Sequence, residues 1–263
     1  MLALGITGWF VIPLIYQLNH SLYNRLGLAS VTEEKFGTTR ISEVISEDIM
    51  IVAYDFRNHK PVIFTKYAAT NKDTSAKMNV LIRDAAQASS AAPIYFDPKP
   101  IEGISDALID GGVIANSPAF YSYIHAKYVR QQKKKIRLVS IGTGEQQPQA
   151  LSTDNVNKVT WVNELGALIT TVEQNTHDYL NNEILQQDYL RFQAKMNKTL
   201  SLDSYQSDDI KELIRYGEAI VSEYKERIDN LCVALVDQNI KKICPKCTKV
   251  TPILILKETH IDL

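Results

Sequence analysis

Residues 81–119, LIRDAAQASSAAPIYFDPKPIEGISDALIDGGVIANSPA, constrain this chain more than any other stretch. The first half is rich in small residues and stops at Pro93, which predicts a helix over residues 73–92 able to approach its neighbours closely. Leu81, Ala85, Ala88 and Ala92 fall on one face of that helix. A loop follows, then a short apolar strand over residues 107–109 that delivers Asp110 onto Gly111 and Gly112. A carboxylate at a strand end before two glycines is where an α/β sheet presents a reactive group, because glycine allows positive φ and leaves room beside the acid. The same three residues also suit an ordinary turn that carries no chemistry.

Strand and helix signals alternate around this centre, which predicts an α/β fold. Residues 49–54 read as an interior strand, reversed by a turn over residues 55–60 into a second strand over 61–65. His59, at the tip of that turn, reads as a solvated loop residue. Residues 32–39 look polar and turn-like, with Phe36-Gly37 as a helix stop. After Asp110 a helix is expected from Pro118 to about Gln132, with Lys133, Lys134 and Lys135 as its solvated end beside the carbonyl dipole. Residues 136–141 form a parallel-type strand that ends in Gly142-Thr143-Gly144. A polar loop over residues 146–157, a helix over 161–187 and a strand over 188–193 complete the pattern. Ser207 is the expected N-cap of a long helix running to about Val236, with Asp208 and Asp209 in its first turn. Beyond it an edge strand is expected over residues 251–256.

Bulk properties narrow the function. At 263 residues the chain suits one large α/β domain with a helical appendage, since single cores stop growing near about 250–300 residues. A net charge of −1 gives no basic face for nucleic acid. Three cysteines, Cys232, Cys244 and Cys247, are too few and too late for a disulfide framework, so a reducing, cytoplasmic compartment is the default, with export left open. Cys244 and Cys247 have metal-ligand or redox spacing, against the simpler reading of a turn with two thiols. No metal or cofactor is expected. The apolar start, MLALGITGWFVIPLIYQL, lacks the basic n-region of a signal peptide. It is also shorter than the roughly 20 apolar residues of a membrane span and is interrupted by Pro13. Burial as a helix or helix pair is the remaining reading, and no transmembrane segment is expected.

The helix ending S-S-A-A-P-x-Y-F, followed by L-I-D-G-G-V-x-A-N-x-P-A, resembles the patatin-like phospholipases, serine lipid acyl hydrolases with a Ser-Asp dyad and no catalytic histidine. The resemblance covers roughly residues 1–203 and also takes in S-I-G-T-G at 140–144 and Y-x-R-x-Q at 189–193. It implies a three-layer α/β/α sheet over residues 1–205, followed by a helical C-terminal extension and short tail over 206–263. It also implies that Asp110 is the general base, that Gly111 and Gly112 shape its loop, and that Asn116 ties that loop by hydrogen bonds. The Met1-Leu2-Ala3-Leu4-Gly5 start is similar to the helix that follows the family's G-x-S-x-G nucleophile elbow. No G-x-S-x-G and no glycine-rich oxyanion loop occur in the 263 residues, so the sheet is expected to lack its first strand and the chain to be inactive as it stands.

Three functions compete on this reading. The first is lipid acyl hydrolysis of phospholipase or esterase type, with an acyl-ester substrate and transient contact with a membrane surface. The second is a non-catalytic lipid- or protein-binding remnant of the same fold. The third is nucleotide binding at Gly142-Thr143-Gly144, which lacks the third glycine and the downstream acid of a dinucleotide fingerprint.

Overall fold

The computed structural model describes residues 21–146, 172–198, 200, 202–243 and 251–255. They form two compact units, one ending at Ala115 and the other beginning at Asn116. The α/β class expected from the sequence is what they show.

The first unit is built on an antiparallel hairpin of β1 (Met50–Asp55) and β2 (Lys60–Thr65), with Met50 opposite Thr65 and Asp55 opposite Lys60. β4 (Ser105–Asp110) pairs antiparallel with the other side of β1, and β3 (Lys99–Ile101) completes the order β2-β1-β4-β3. β1 is therefore interior, as its run of β-branched and apolar residues predicts. Helix Ile82–Ser89 packs on this sheet with Ala85 and Ala88 fully buried, sharing a core with Phe64 and Leu108. Burying Phe64 and Leu108 contributes about 1.5–3 kcal/mol each, and the alanines let the helix come close enough for that core to be dry. Helix Leu26–Phe36 is fastened to Ile82–Ser89 from outside. Gln87 Nε2 donates to Thr32 Oγ1 at 2.7 Å, and Thr32 Oγ1 donates to the Leu28 carbonyl at 2.8 Å, all out of solvent. An Arg83–Glu33 ion pair lies between the same two helices.

Two local expectations for this unit are corrected. Residues 32–36 are helical, because Leu28 and Thr32 lie one turn apart and are both buried; burial overrides the polar composition. That helix does stop at Gly37, whose φ of 51° only glycine adopts freely. The helix expected over residues 73–92 is two helices, Ser75–Met78 and Ile82–Ser89. Between them Asn79 Oδ1 accepts the Ser42 N–H at 3.1 Å and Leu81 bridges to Arg40, contacts that a continuous helix would forgo. The second helix ends at Ser89, so Pro93 lies beyond its end instead of halting it.

In the second unit β5 (Ile136–Ile141) runs between β7 (Tyr189–Phe192) and β9 (Thr251–Ile255), both parallel to it, and the two-residue strands β6 (Glu145–Gln146) and β8 (Lys195–Met196) pair parallel with each other. Its near-continuous burial fits an interior parallel strand, and the tail takes the edge position expected of it. Ile136, Leu138 and Tyr189 form a core with Ala119, Tyr123 and Leu180. Helix Ala119–Ile124 has Pro118 at its N-cap and continues as a π-helical turn, His125–Val129. Lys135 does not serve as a solvated helix end: it immediately precedes β5 and its Nζ pairs with buried Asp188 at 2.7 Å. The helix expected over 161–187 is described from residue 172, as an α-helix over 172–179 and then a π-helical turn, Leu180–Ile184.

The single long helix expected after Ser207 is two, Ser207–Glu223 and Lys225–Ile243, divided at Tyr224. Gln206, not Ser207, is the N-cap, and Asp209 instead accepts from Ser204 and Lys198. Residues 1–20, 147–157 and both Cys244 and Cys247 lie outside the described residues. Cys232 is exposed with a free thiol. Among the described residues no helix is long and apolar enough to cross a membrane.

Asp55, at the end of β1, is fully buried yet charged. It accepts the N–H groups of Arg57 and Asn58 at 3.1 and 3.0 Å and the Asn58 side-chain amide at 2.8 Å, which closes the hairpin turn. Burial pushes its carboxyl pKa up, but these bonds and one from Ser105 outweigh it and hold the group below its ordinary range. A depressed carboxyl stabilises the fold above the unfolded pKa of about 3.9 and loses that contribution as pH falls through the folded value. Asp55→Ala is therefore expected to cost about 2–3 kcal/mol at pH 7. In urea unfolding the gap between wild type and variant should narrow below about pH 4; a gap independent of pH would contradict this account.

Candidate active site

Asp110 is carried to its place by β4, whose Leu108 and Ile109 are buried, with Ala53 of β1 opposite it. Its N–H donates to the Ala91 carbonyl at 3.0 Å, and the Gly111 N–H reaches the Ser89 carbonyl at 3.3 Å. Ser89 Oγ in turn donates to the Val52 carbonyl at 2.6 Å. The end of the small-residue helix and the D-G-G turn, 20 residues apart in sequence, are thus hydrogen-bonded to each other and to β1. The Asp110 carboxylate is half-buried, and its Oδ1 accepts the Gly112 N–H at 2.6 Å, which orients it over the start of the short helix Gly112–Ala115.

The positive φ expected of the two glycines is not found. Neither Gly111 nor Gly112 has positive φ; among the described glycines that conformation falls to Gly37, Gly103 and Gly144. Gly111 is required by proximity instead. A Cβ there would lie 2.1 Å from the Val52 carbonyl oxygen and 2.6 Å from its carbon, inside hard contact with backbone that cannot swing away.

Asn116 opens the second unit, and its side-chain amide donates to Glu173 Oε2. Glu173 belongs to a buried polar ring that sequence reasoning did not single out. Its Oε1 accepts from Arg191 at 3.1 Å and from His177 Nε2 at 3.3 Å. An ionised carboxylate can only accept, so His177 carries its proton on Nε2 and its Nδ1 takes the Tyr189 hydroxyl. Arg191 also donates to Ser140 Oγ at 2.7 Å. Burial raises the Tyr189 pKa, partly offset by the Ser140 hydrogen bond and the Arg191 charge. The sequence did hold a signal: Glu173 and His177 are one helical turn apart, and Tyr189 and Arg191 are two apart on a strand, so each pair shares a face. The parallel register then sets Ser140 beside Arg191 near the carboxyl ends of β5 and β7.

Other candidates resolve as structural. The space above Gly142 is filled: a Cβ there would meet Gln193 Oε1 at 2.3 Å and an Arg191 nitrogen at 2.7 Å. Gln193 Oε1 also accepts the Gly144 N–H at 2.9 Å, so a side chain lies where a phosphate would have to sit. His59 sits in the left-handed region at the hairpin tip, edge-on to exposed Phe56. Among the described residues no cluster of three or more His, Cys, Asp or Glu could hold a metal ion.

Comparison with known proteins finds relatives for this arrangement, an α/β chain with a strand-end Asp-Gly-Gly fastened to a small-residue helix. The family model for patatin-like phospholipase matches residues 7–122, which include both motifs. Patatin-2-Kuras 4 and Patatin group M-1 of Solanum tuberosum are each 26% identical over 233 residues, covering 77% of this chain and 61% and 59% of their own lengths. Patatin-15 of the same plant is 24% identical over 255 residues, 81% of this chain and 65% of its own length. Over the stretch that carries both motifs the chain is similar to the patatin-like phospholipases. It spans about three fifths of the length of these curated relatives.

Because Gly111 presses on backbone, Gly111→Ala is expected to destabilise the protein by about 1–3 kcal/mol, the range for forced overpacking. Thermal unfolding measures this directly, and an unchanged midpoint would show that the contact with Val52 is not tight.

Proposed function

We propose that the chain is the base-bearing part of a lipid acyl hydrolase of phospholipase A type, acting on carboxylic esters through a Ser-Asp dyad in which Asp110 is the general base. The observation that carries this reading is the placement of Asp110. It is half-buried at the end of β4, and its carboxylate is steered by the Gly112 N–H while its backbone is fixed to Ala91. A carboxylate held this way can take the proton of a serine hydroxyl as acyl transfer begins, then return it to the leaving alcohol; in deacylation it does the same for water. Gly111 lets the loop lie against β1, so the acid stays on a rigid strand end instead of a mobile turn. Lipid or another acyl ester is the substrate class, with transient contact at a membrane surface.

The 263 residues contain no G-x-S-x-G, and by themselves they are proposed not to turn over esters. The same absence favours a second reading, a non-catalytic lipid- or protein-binding member of the fold.

One chimera separates the two. Fusing the nucleophile-elbow segment of a potato patatin ahead of residue 2 is expected to give hydrolysis of p-nitrophenyl butyrate, against background for the unfused chain. Asp110→Asn in the fusion should lower the rate by about 10²–10⁴-fold, the range for a positioned general base. Full activity in that variant removes Asp110 from the mechanism, and a folded but inert fusion favours the binding reading.

A further inference from the structure

A cavity of about 660 Å³ lies wholly within the second unit. Arg137 of β5 and Arg227 of helix Lys225–Ile243 both line it. The charge of Arg137 is not used up locally. It stands 3.9 Å from Asp188, a carboxylate already taken by Lys135 at 2.7 Å. Arg227 lies over the Tyr224 ring and pairs with no carboxylate among the described residues. Two guanidinium forks with spare donors in one concave wall form an anion-binding arrangement.

The rest of the wall is made mainly of side-chain amides. Asn181 and Asn182 bond only to each other, at 3.0 Å, while Gln186, Gln187 and Asn230 contribute amides with no hydrogen bond among the described residues. Leu190 and Leu231 are its aliphatic contribution, too little for an acyl chain. Such a lining suits a ligand that brings hydroxyl groups as well as negative charge, and the volume falls within the range of small-molecule sites.

The backbone that presents these amides departs from regular geometry. Asn181 and Asn182 stand on the π-helical turn Leu180–Ile184, closed by the Leu185 N–H to the Leu180 carbonyl at 2.8 Å. Two residues later Gln186 takes φ of 49°, a conformation that costs a residue with a Cβ. Leu180 and Leu185, both buried, hold the segment in place. π-Turns and left-handed residues other than glycine concentrate at functional sites, and here both border the same cavity.

We propose that this cavity binds a phosphorylated polyol, its phosphate on Arg137 and Arg227 and its hydroxyl groups on the amides of the π-turn and of Asn230. The site is independent of the acyl-hydrolase reading, because it is read by binding and not by turnover.

The test is titration calorimetry on the whole chain with myo-inositol 1-phosphate, with myo-inositol and inorganic phosphate as partial probes. Saturable binding of inositol phosphate, tighter than either part, is expected, weakened about tenfold or more by Arg227→Gln and by Arg137→Gln. Should Arg137→Gln fail to fold, Arg227→Gln and Asn230→Ala decide, since both positions are exposed on a helix. Co-sedimentation with phosphatidylcholine vesicles, with and without phosphatidylinositol, identifies the source. Recruitment that free inositol phosphate displaces and Arg227→Gln abolishes indicates a lipid head group, and binding of the free compound without recruitment indicates a soluble one. Absence of saturable binding to every probe, or binding that the variants leave unchanged, overturns the proposal.

Discussion

The contact between Gly111 and the carbonyl of Val52 is the constraint on which the first unit turns. Two backbones meet there with no side chain between them, and a Cβ on Gly111 would sit 2.1 Å from the carbonyl oxygen. That closeness lets β4 lie directly beside β1 and lets Ser89 at the helix end reach the same Val52 oxygen. Three elements converge on one peptide group, and Asp110 is the residue immediately before the convergence. Its position is thus set by main-chain packing, which substitutions on the surface cannot loosen. The small residues of Ile82–Ser89 serve the same end, because Ala85 and Ala88 let the helix descend far enough for Ser89 to make its bond.

What the sequence made legible follows from how local each signal is. The β1–β2 hairpin, the strand before Asp110 and the parallel strand β5 were readable, since alternation and β-branching are written in consecutive residues. The stop at Gly37 was readable for the same reason. The course of residues 32–36 was not, because Thr32 looks polar in isolation and becomes a core residue only when Gln87 arrives from 55 positions away. The break at residues 79–81 likewise depends on Ser42 and Arg40, partners that no window around the helix contains. Helix Ser207–Glu223 ends at Tyr224 although the apolar spacing continues through it, so periodicity alone could not reveal the division.

The site shows the same division. Asp110 could be picked out by its motif, but the positive φ expected of its glycines is absent. Glycine in a sequence announces either unusual φ or close approach, and only the neighbour, here Val52, says which. The ring of Asn116, Glu173, His177, Tyr189, Arg191 and Ser140 was invisible for a further reason. Its members come from a loop, a helix and two strands; Asn116, Ser140, Tyr189 and Arg191 lie in stretches the sequence marks out, but nothing local joins them to Glu173 and His177. Only the pairs Glu173–His177 and Tyr189–Arg191 carried a periodic hint.

That ring bears on how the second unit can be built at all. β5 is apolar at Ile136 and Leu138, yet on the same face it ends in Ser140, beside Arg191 on β7. A guanidinium buried without partners would cost more than the neighbouring core contributes, so the sheet can close here only with a carboxylate delivered to it. Glu173 supplies that charge, and His177 and Asn116 occupy its remaining acceptor sites. The apolar core and the polar end of the sheet are therefore not separable features. Leu180 and Leu185 pack the helix that carries Glu173 against β5, and through the same segment they hold the π-turn that walls the cavity. Stability of the parallel sheet and the shape of that cavity rest on the same few side chains, so a change that loosens one will be felt in the other.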